Sequence, residues 1–339
     1  MSQSEEVQNQ IYQREVGKMK VSRLKSGFSV LMGLLVIVSL ILASPILAKE
    51  LHFAVCLPTL DQPHFVAQKY GYEDEAKKLG VKVTIYDAGG YANLARQIQQ
   101  IEDATAAKVD AIILVAVSQT GPIPAVEDAV KAGIPVINVN VMCDSTKIIA
   151  RVRSDDTEIG RMAGEFLAKK LNYKGNIVML PGRAGASVVM MRAQGFKEAL
   201  KKYPNMKLLA EQYSDMTRAV GMNIMEDMLQ AHGQAINGVY CVGEHLGMGA
   251  VQTLDAAKRR DVIVCAVDFS KDLERALRDG KIAATITQQT ILMGRTGVRI
   301  AKDVVQEKKV PPMTFAPIKL ITAADLDTMD RSGFEIPSK

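Results

Sequence analysis

Polar side chains stand where several apolar stretches of this sequence end. The stretch VINVNVMCD, residues 136–144, is a run of valine and isoleucine that carries Asn138 and Asn140 near its end. Amide, carboxylate and hydroxyl groups at such positions can hold a small solute by hydrogen bonds. Each of these bonds discriminates between solutes, because an unpaired buried partner is costly. The chemistry that these residues favour is the binding of a polar solute that is uncharged or weakly cationic.

The other candidate contacts share this placement, just beyond a predicted strand or at the start of the helix that follows it. In open parallel sheets, ligands bind beyond the carboxyl ends of the strands, where loops supply polar groups. We therefore expect the binding site to draw on these strand exits. The candidates are Gln62, His64, Phe65, Tyr91, Asn138, Asn140, Glu244, Asp268 and Gln288.

Catalysis is not what these residues predict. Asp268 is a single carboxylate opposite an amide, whereas a glycosidase needs two carboxylates at a defined separation. His64 and His245 could each act as a base, but no nucleophile motif accompanies them. The turn MLPGRAG lacks the Lys-Ser/Thr and G-x-G-x-x-G patterns of phosphate-binding loops, so it predicts a tight turn near a ligand. We expect neither an enzyme nor a cofactor.

The cysteines give no sign of a metal site. No CxxC motif or Cys/His spacing is present, and three of the four cysteines lie in or at the ends of apolar runs. There a cysteine acts as a small buried hydrophobe. The four are Cys56, Cys143, Cys241 and Cys265.

Apolar runs and amphipathic segments alternate from His52 onward, which predicts strands and helices in turn. Strands of continuous apolar character are covered on both faces, and helical crossovers make the sheet parallel. In the first half the predicted strands are 53–57, 81–86, 111–117 and 136–139, with helices near 64–79, 91–106 and 122–132. In the second half they are 176–180, 206–209, 238–242 and 262–267, with helices near 187–202, 217–231 and 246–257. A further strand at 283–287, a long helix after it and a strand near 318–321 complete the prediction.

The two halves repeat one βαβ layout, although any two α/β segments share some likeness. AVEDAVKAGIPVINVN in the first half, for example, corresponds to AVQTLDAAKRRDVIVCAVD in the second, which makes Asn140 the counterpart of Asp268. We predict an α/β fold of two Rossmann-like, doubly wound lobes joined by three crossings. The N-terminal lobe is predicted at 49–153 plus 289–315, and the C-terminal lobe at 154–288 plus 316–339. The crossings are expected near 153–155, 288 and 315–318.

The first 48 residues predict an export signal. Lys20, Arg23 and Lys25 precede an apolar run over 28–43, which is shorter than the roughly 20 residues of a membrane span. We expect a cleavable signal peptide within 1–48, a start at Met19 and a periplasmic product. Without this segment 37 basic and 34 acidic side chains remain, so the charge gives no argument for a nucleic-acid partner.

Several stretches resemble the periplasmic sugar-binding proteins of ABC importers, of the ribose-binding type. They include PHFVAQKYGYEDEAKKLGVKV, SDDTEIGRMAGEFL and DGKIAATITQ, and the resemblance extends over about 50–321. It implies the type 1 periplasmic binding protein fold, which closes on a solute by a hinge motion and delivers it to an ABC permease. It also implies that Phe65 stacks on the solute and that Asp268 and Gln288 contact it.

The sequence departs from that family at other site positions. The sugar binders usually carry Asp-Arg where this chain has Asn140 and Val141, and their arginine in the helix after GRAGAS corresponds to Met190. Their asparagine after the strand VYCVG corresponds to Gly243, which is followed by Glu244. The resemblance therefore implies Met190 and Glu244 as site positions and argues against an ordinary pentose or hexose.

A second resemblance concerns YGYEDEAKKLGVKVTIYDAGGYANLARQIQQIEDA, which is similar to the TorT-like branch, whose namesake is a periplasmic partner of a sensor kinase. Recognition of the same methylated amine would require an aromatic cage, and this chain has no tryptophan. The predicted function is that of a periplasmic solute-binding protein of an ABC importer. The alternative is a ligand sensor that docks on a histidine kinase.

Overall fold

Two six-stranded sheets, each built from alternating strands and helices, carry the fold of the compact unit that begins at Glu50. The computed structural model describes residues 12–15, 17–18 and 50–337, and the first two short ranges are helical. The predicted signal peptide otherwise lies outside the described residues. Among the described residues, no helix is both long and apolar enough to cross a membrane.

The first sheet takes its strands from the first third of the unit and one from near its end. Their bounds are β1 (His52–Leu57), β2 (Lys82–Asp87), β3 (Ala111–Leu114), β4 (Val136–Val139) and β5 (Ala150–Ser154), with helices α1 (Pro63–Leu79), α2 (Leu94–Ala106) and α3 (Ile123–Lys131) between them.

The second sheet follows in the chain, and its elements are α4 (Asp156–Lys170), β6 (Gly175–Gly182), α5 (Ser187–Leu200), β7 (Met206–Tyr213), α6 (Arg218–His232), β8 (Gly238–Cys241), α7 (Glu244–Ala256), β9 (Ile263–Val267), α8 (Lys271–Arg278) and β10 (Ala284–Gln288). The chain then forms α9 (Thr290–Val305), β11 (Met313–Ala316) and β12 (Ile318–Ile321).

Strand order is the same in the two sheets. The first runs β11-β5-β4-β3-β1-β2 and the second β12-β10-β9-β8-β6-β7. All pairings are parallel except that of β12 with β10, which is antiparallel. The predicted class, two doubly wound α/β lobes, is confirmed. The sheets also make β4 the equivalent of β9.

The chain passes between the sheets at three places, between β5 and α4, between β10 and α9, and between β11 and β12. These places lie near the predicted crossings, and the exact limits of the lobes stay a prediction. The sequence did not predict β5, α4, α8 or β11.

Apolar side chains fill both faces of the central strands. Every residue of β3 and of β4 is buried, as continuous apolar runs predict. All four cysteines are free and buried, in agreement with their apolar neighbourhoods.

Close helix packing fixes α1, which bears three of the candidate contacts at its start. At Gly71 of α1, an added Cβ would lie 2.2 Å from the carbonyl oxygen of Ile291 in α9. Because only glycine permits so short a backbone distance, α1 is held against α9 and its first turn is directed to the strand exits.

Candidate functional site

Two equivalent strand exits face one another at the centre of the site. Asn140 follows β4 and Asp268 follows β9, and both have positive φ, 65° and 79°. Asn140 donates its backbone N–H to Val152 of β5 at 2.7 Å, and Asp268 donates its own to Ile286 of β10 at 3.0 Å. Asn and Asp tolerate the left-handed conformation better than most residues, so the sequence permits this turn at both exits.

His64, in the first turn of α1, lies between these two exits. Asn140 Nδ2 is 2.6 Å from His64 Nε2, and His64 Nδ1 is 3.6 Å from Asp268 Oδ1. Because the amide nitrogen donates, Nε2 accepts, and the N–H at Nδ1 faces the carboxylate. The histidine thus joins the first lobe to the second.

Asp268 is the charged centre of the site. Burial would raise the pKa of Asp268, but His64, the Arg192 guanidinium and the Gln288 amide stabilise the ionised form and lower the pKa to about 2. Gln288 at the end of β10 donates Nε2 to Asp268 Oδ1 at 2.7 Å. The Oε1 atom of Gln288 is buried and has no partner within the described residues.

A cavity of about 590 Å³, including the part open to solvent, adjoins these groups. Its walls come from the start of α1, the exits of β9 and β10, the start of α7 and the C-terminal tail. The lining residues are Gln62, Pro63, His64, Ala67, Met216, Glu244, His245, Asp268, Phe269, Thr287, Gln288, Thr290 and Phe334. A larger groove shares several of these residues and continues outward.

Glu244, the first residue of α7, supplies a second carboxylate to the cavity. Burial raises the pKa of Glu244, as does the charge of Asp268, although Ser270 donates its hydroxyl to Glu244 Oε1 and lowers it. Its acid form is therefore favoured more than in a solvated glutamate.

Two aromatic rings belong to this region: that of Phe65 lies next to His64, and that of Tyr91 lies next to Phe65. Phe65 is buried and meets His64 edge-on, with ring centroids 4.9 Å apart. The ring centroids of Tyr91 and Phe65 are 6.4 Å apart. The Arg183 guanidinium of the second lobe lies 5.8 Å from the centroid of the Tyr91 ring. This cation–π contact is a further link between the lobes.

The structure brings most of the predicted site residues together. Gln62, His64, Glu244, Asp268 and Gln288 line the cavity. Through contacts with His64, Asn140 and Phe65 belong to the same group. Tyr91 packs near Phe65.

Asn138 and Met190 are placed differently. Asn138 donates Nδ2 to the carbonyl oxygens of Leu114 and Val141, at 2.8 and 2.9 Å, and accepts the N–H of Cys143 at 3.0 Å. Its amide is committed to the backbone, so we assign it a structural role instead of the predicted ligand contact. Met190 is 44% exposed and does not line the cavity.

Sequence reasoning did not single out several of the lining residues. Thr290 stands two residues after Gln288 and Met216 three residues after the end of β7, whereas Phe334 reaches the cavity only because the chain folds back on itself. Phe334 stands in the tail, and its ring packs edge-on against Phe269 at 5.0 Å. Phe269 could have been found from the sequence, because it directly follows Asp268 at a predicted strand exit. Among the described residues, no group of three or more His, Cys, Asp or Glu could hold a metal ion.

Comparison with known proteins relates the chain to binding proteins for small solutes. Residues 53–309 match the family described as periplasmic binding protein domain. The ribose import binding protein of Bacillus subtilis is 32% identical over 274 residues, which cover 81% of this chain and 88% of that protein.

Two solved structures are similar to this fold. A carbohydrate transporter solute-binding protein from Agrobacterium radiobacter, in complex with D-arabinose, has a TM-score of 0.77 and 27% identity over 83% of this chain and 97% of its own. A solute-binding protein from Bacillus halodurans with bound myo-inositol has a TM-score of 0.76 and 27% identity, over 82% of this chain and 96% of its own.

Proposed function

The chain belongs to the family of periplasmic binding protein domains, and from this premise we propose that it is the solute-binding protein of an ABC importer. The solute is a small polar molecule of the sugar or polyol class. It binds in the cavity between the start of α1 and the strand exits of the second lobe. The relative from Bacillus subtilis is a ribose import protein, and the two structural neighbours hold arabinose and inositol, which supports this class.

The buried acceptor of Gln288 is the observation that carries the proposal. Gln288 lines the cavity, its Nε2 is taken by Asp268, and its Oε1 has no partner within residues 50–337. An unsatisfied buried acceptor costs about 1–3 kcal/mol. A hydroxyl-bearing solute that donates to this oxygen and to Asp268 relieves that cost.

Hinge closure is the proposed binding step. The contacts of His64 with Asp268 and of Arg183 with Tyr91 hold the lobes together in this structure. A solute with several hydroxyls bridges the same surfaces, so binding favours the closed arrangement that a permease recognises. Export to the periplasm by the predicted signal peptide within 1–48 is part of this proposal.

An ordinary pentose or hexose is not the solute that we propose. Asn140 and Val141 stand where the sugar binders carry Asp-Arg, and Met190 stands where they carry a further arginine. The alternative, a ligand sensor of the TorT-like branch, is not favoured, because the relatives named above are import or solute-binding proteins.

A thermal-shift screen of sugars and polyols on the purified protein tests the function. At a free concentration a hundred times Kd, a true ligand stabilises the native state by about 2.7 kcal/mol. The best solute should lose its effect on Asp268→Ala and keep it on Glu226→Gln, an exposed change on the outer side of α6. If it shifts the unfolding of Asp268→Ala just as much, the cavity is not its site.

A further inference from the structure

The charges on the cavity wall are of one sign. Within residues 50–337 the lining includes the carboxylates of Glu244 and Asp268 but neither lysine nor arginine. Among these described residues, His64 and His245 are the only lining groups that can become cationic.

Asp268 already has its charge balanced from within the protein. Arg192 is buried and donates Nε to Asp156 at 2.8 Å, and Arg153 donates to the other oxygen of Asp156 at 2.6 Å. Two guanidinium groups on one carboxylate leave an excess of positive charge. Asp268, whose pKa the Arg192 charge helps to lower, offsets that excess, together with the contact from His64.

Glu244 has no such partner. Its side chain is held by the Ser270 hydroxyl, and within residues 50–337 it forms no ion pair with a lysine or arginine. Burial and the Asp268 charge raise the pKa of Glu244 more than the Ser270 hydroxyl and His245 lower it, so the ionised form lacks full compensation. A cation bound in the cavity would provide the missing positive charge next to the Glu244 carboxylate.

The groove that leads to the cavity also carries more negative than positive charge. The groove that continues outward carries four carboxylates and two basic side chains, Arg218 and Lys271. Asp272 is paired with Arg218 at 2.8 Å and Glu335 with Arg331 at 2.9 Å, which leaves Asp61 and Glu244 against Lys271. The carboxylates are Asp61, Glu244, Asp272 and Glu335. A cleft lined by an excess of negative charge concentrates cations.

The unpaired hydrogen-bonding groups match an ammonium better than a hydroxyl. Gln288 Oε1 is a buried acceptor on the cavity wall without a partner within the described residues, and Gln288 is 3% exposed. An ammonium offers three donors and no acceptor. It can therefore satisfy such oxygens without leaving an acceptor of its own unpaired.

We propose that the solute carries a protonated amino group among its hydroxyls, as in an amino sugar or an amino polyol, and that this ammonium is held by Glu244. The same ammonium donates to Gln288 Oε1, and hydroxyl groups of the solute bind Asp268 and Gln62. The inference rests on the proposed function and narrows its ligand class.

Matched pairs of probes test it by titration calorimetry on the purified protein. The pairs are D-glucosamine against D-glucose and 1-amino-1-deoxy-D-glucitol against D-glucitol, with N-acetyl-D-glucosamine as the uncharged nitrogen control. We expect the amine of at least one pair to bind about tenfold more tightly than its hydroxyl partner and than the acetylated control, as one additional charge-assisted contact provides.

Glu244→Gln should reduce that preference to about one while the neutral partner keeps its affinity within a few-fold. Its binding of the neutral partner shows that this variant is folded. Ser270→Ala removes the hydroxyl but keeps the carboxylate, so the preference should survive there, as it should in Glu226→Gln.

The outcomes separate this inference from the proposed function. If a neutral probe binds as tightly as its amine and loses affinity in Asp268→Ala, the amino group is wrong and the sugar or polyol function stands. A preference that persists in Glu244→Gln also overturns the inference. If no member of either pair and no sugar or polyol of the screen binds, both proposals fall.

Discussion

The strand exits at Asn140 and Asp268 occupy equivalent places in the two sheets and differ in chemistry. Both residues adopt the left-handed conformation, and both donate their backbone N–H to the neighbouring strand. Asn140 presents an uncharged amide to His64, whereas Asp268 presents a carboxylate with a pKa of about 2. The repeated backbone fixes where a polar group stands, while the residue type in each copy decides the chemistry that it offers.

The asymmetry extends to what surrounds each exit. Next to Asn140 the chain continues with the buried Val141, and next to Asp268 with Phe269, which lines the cavity. Glu244 also belongs to the second lobe. The charged part of the site is therefore concentrated on one side, and the first lobe contributes neutral groups and His64.

The largest expected effect on solute affinity comes from giving the second strand exit the residue type of the first. Asp268→Asn keeps a residue that tolerates positive φ but removes the charged acceptor. We expect the affinity for the solute found in the screen to fall about a hundredfold, near 3 kcal/mol, because hydrogen bonds to a charged group are the stronger ones. Titration calorimetry measures this loss, with Glu226→Gln as the control. An unchanged affinity would show that the charge at this exit is not used.

The same carboxylate should make folding stability depend on pH. The pKa of Asp268 is lowered from 3.8 to about 2 in the native state, so the unfolded chain binds this proton more readily. The resulting stabilisation, about 2.5 kcal/mol, is complete above pH about 4 and is lost as the pH falls towards 2. Urea unfolding between pH 2 and 5 should show the difference between the wild type and Asp268→Asn shrinking with acid. A difference that stays constant across this range contradicts the assignment.

Replacing Asn140 tests the other exit. Asn140→Ala loses the contact with His64 and places alanine at a φ of 65°, which together should lower the free energy of unfolding by about 2 kcal/mol. Asn140→Gly loses only the contact and should cost about half as much, although its greater freedom in the unfolded chain adds to the cost. Equal losses in denaturant unfolding would mean that the left-handed turn carries no strain for alanine.

The smallest effect is expected at Met190. Its side chain is exposed and lies outside the cavity lining, so Met190→Ala should change solute affinity by less than about 0.5 kcal/mol. Calorimetry against the same solute checks this. A tenfold loss of solute affinity would show that Met190 contacts the solute, as the family resemblance implied.

The sequence predicts the strands that are apolar throughout, such as β1, and misses β5, which carries two arginines. The run at 53–57 anticipates β1, because a strand covered on both sides is apolar throughout. The segment ARVRS of β5 carries Arg151 and Arg153, and such closely spaced charged residues are typical of a loop. In the fold, Arg151 donates to the Ser145 carbonyl and Arg153 to Asp156, partners that the local sequence does not reveal.

The residues of the candidate site are also only partly predictable from the sequence. The rule that ligands bind at strand exits, combined with the internal repeat, leads to Asn140, Asp268 and Gln288. It fails at Asn138, because an amide near a strand end can serve the backbone as well as a solute. The rule also does not predict Phe334, which lines the cavity but belongs to the C-terminal tail and follows no strand exit.

A crystal structure of the protein with the solute that stabilises it most tests the central claim directly. We predict that the solute lies in the cavity, with oxygen or nitrogen atoms within hydrogen-bonding distance of Asp268 and of Gln288 Oε1. A solute bound elsewhere on the protein, with the Gln288 oxygen still lacking a partner, would contradict it.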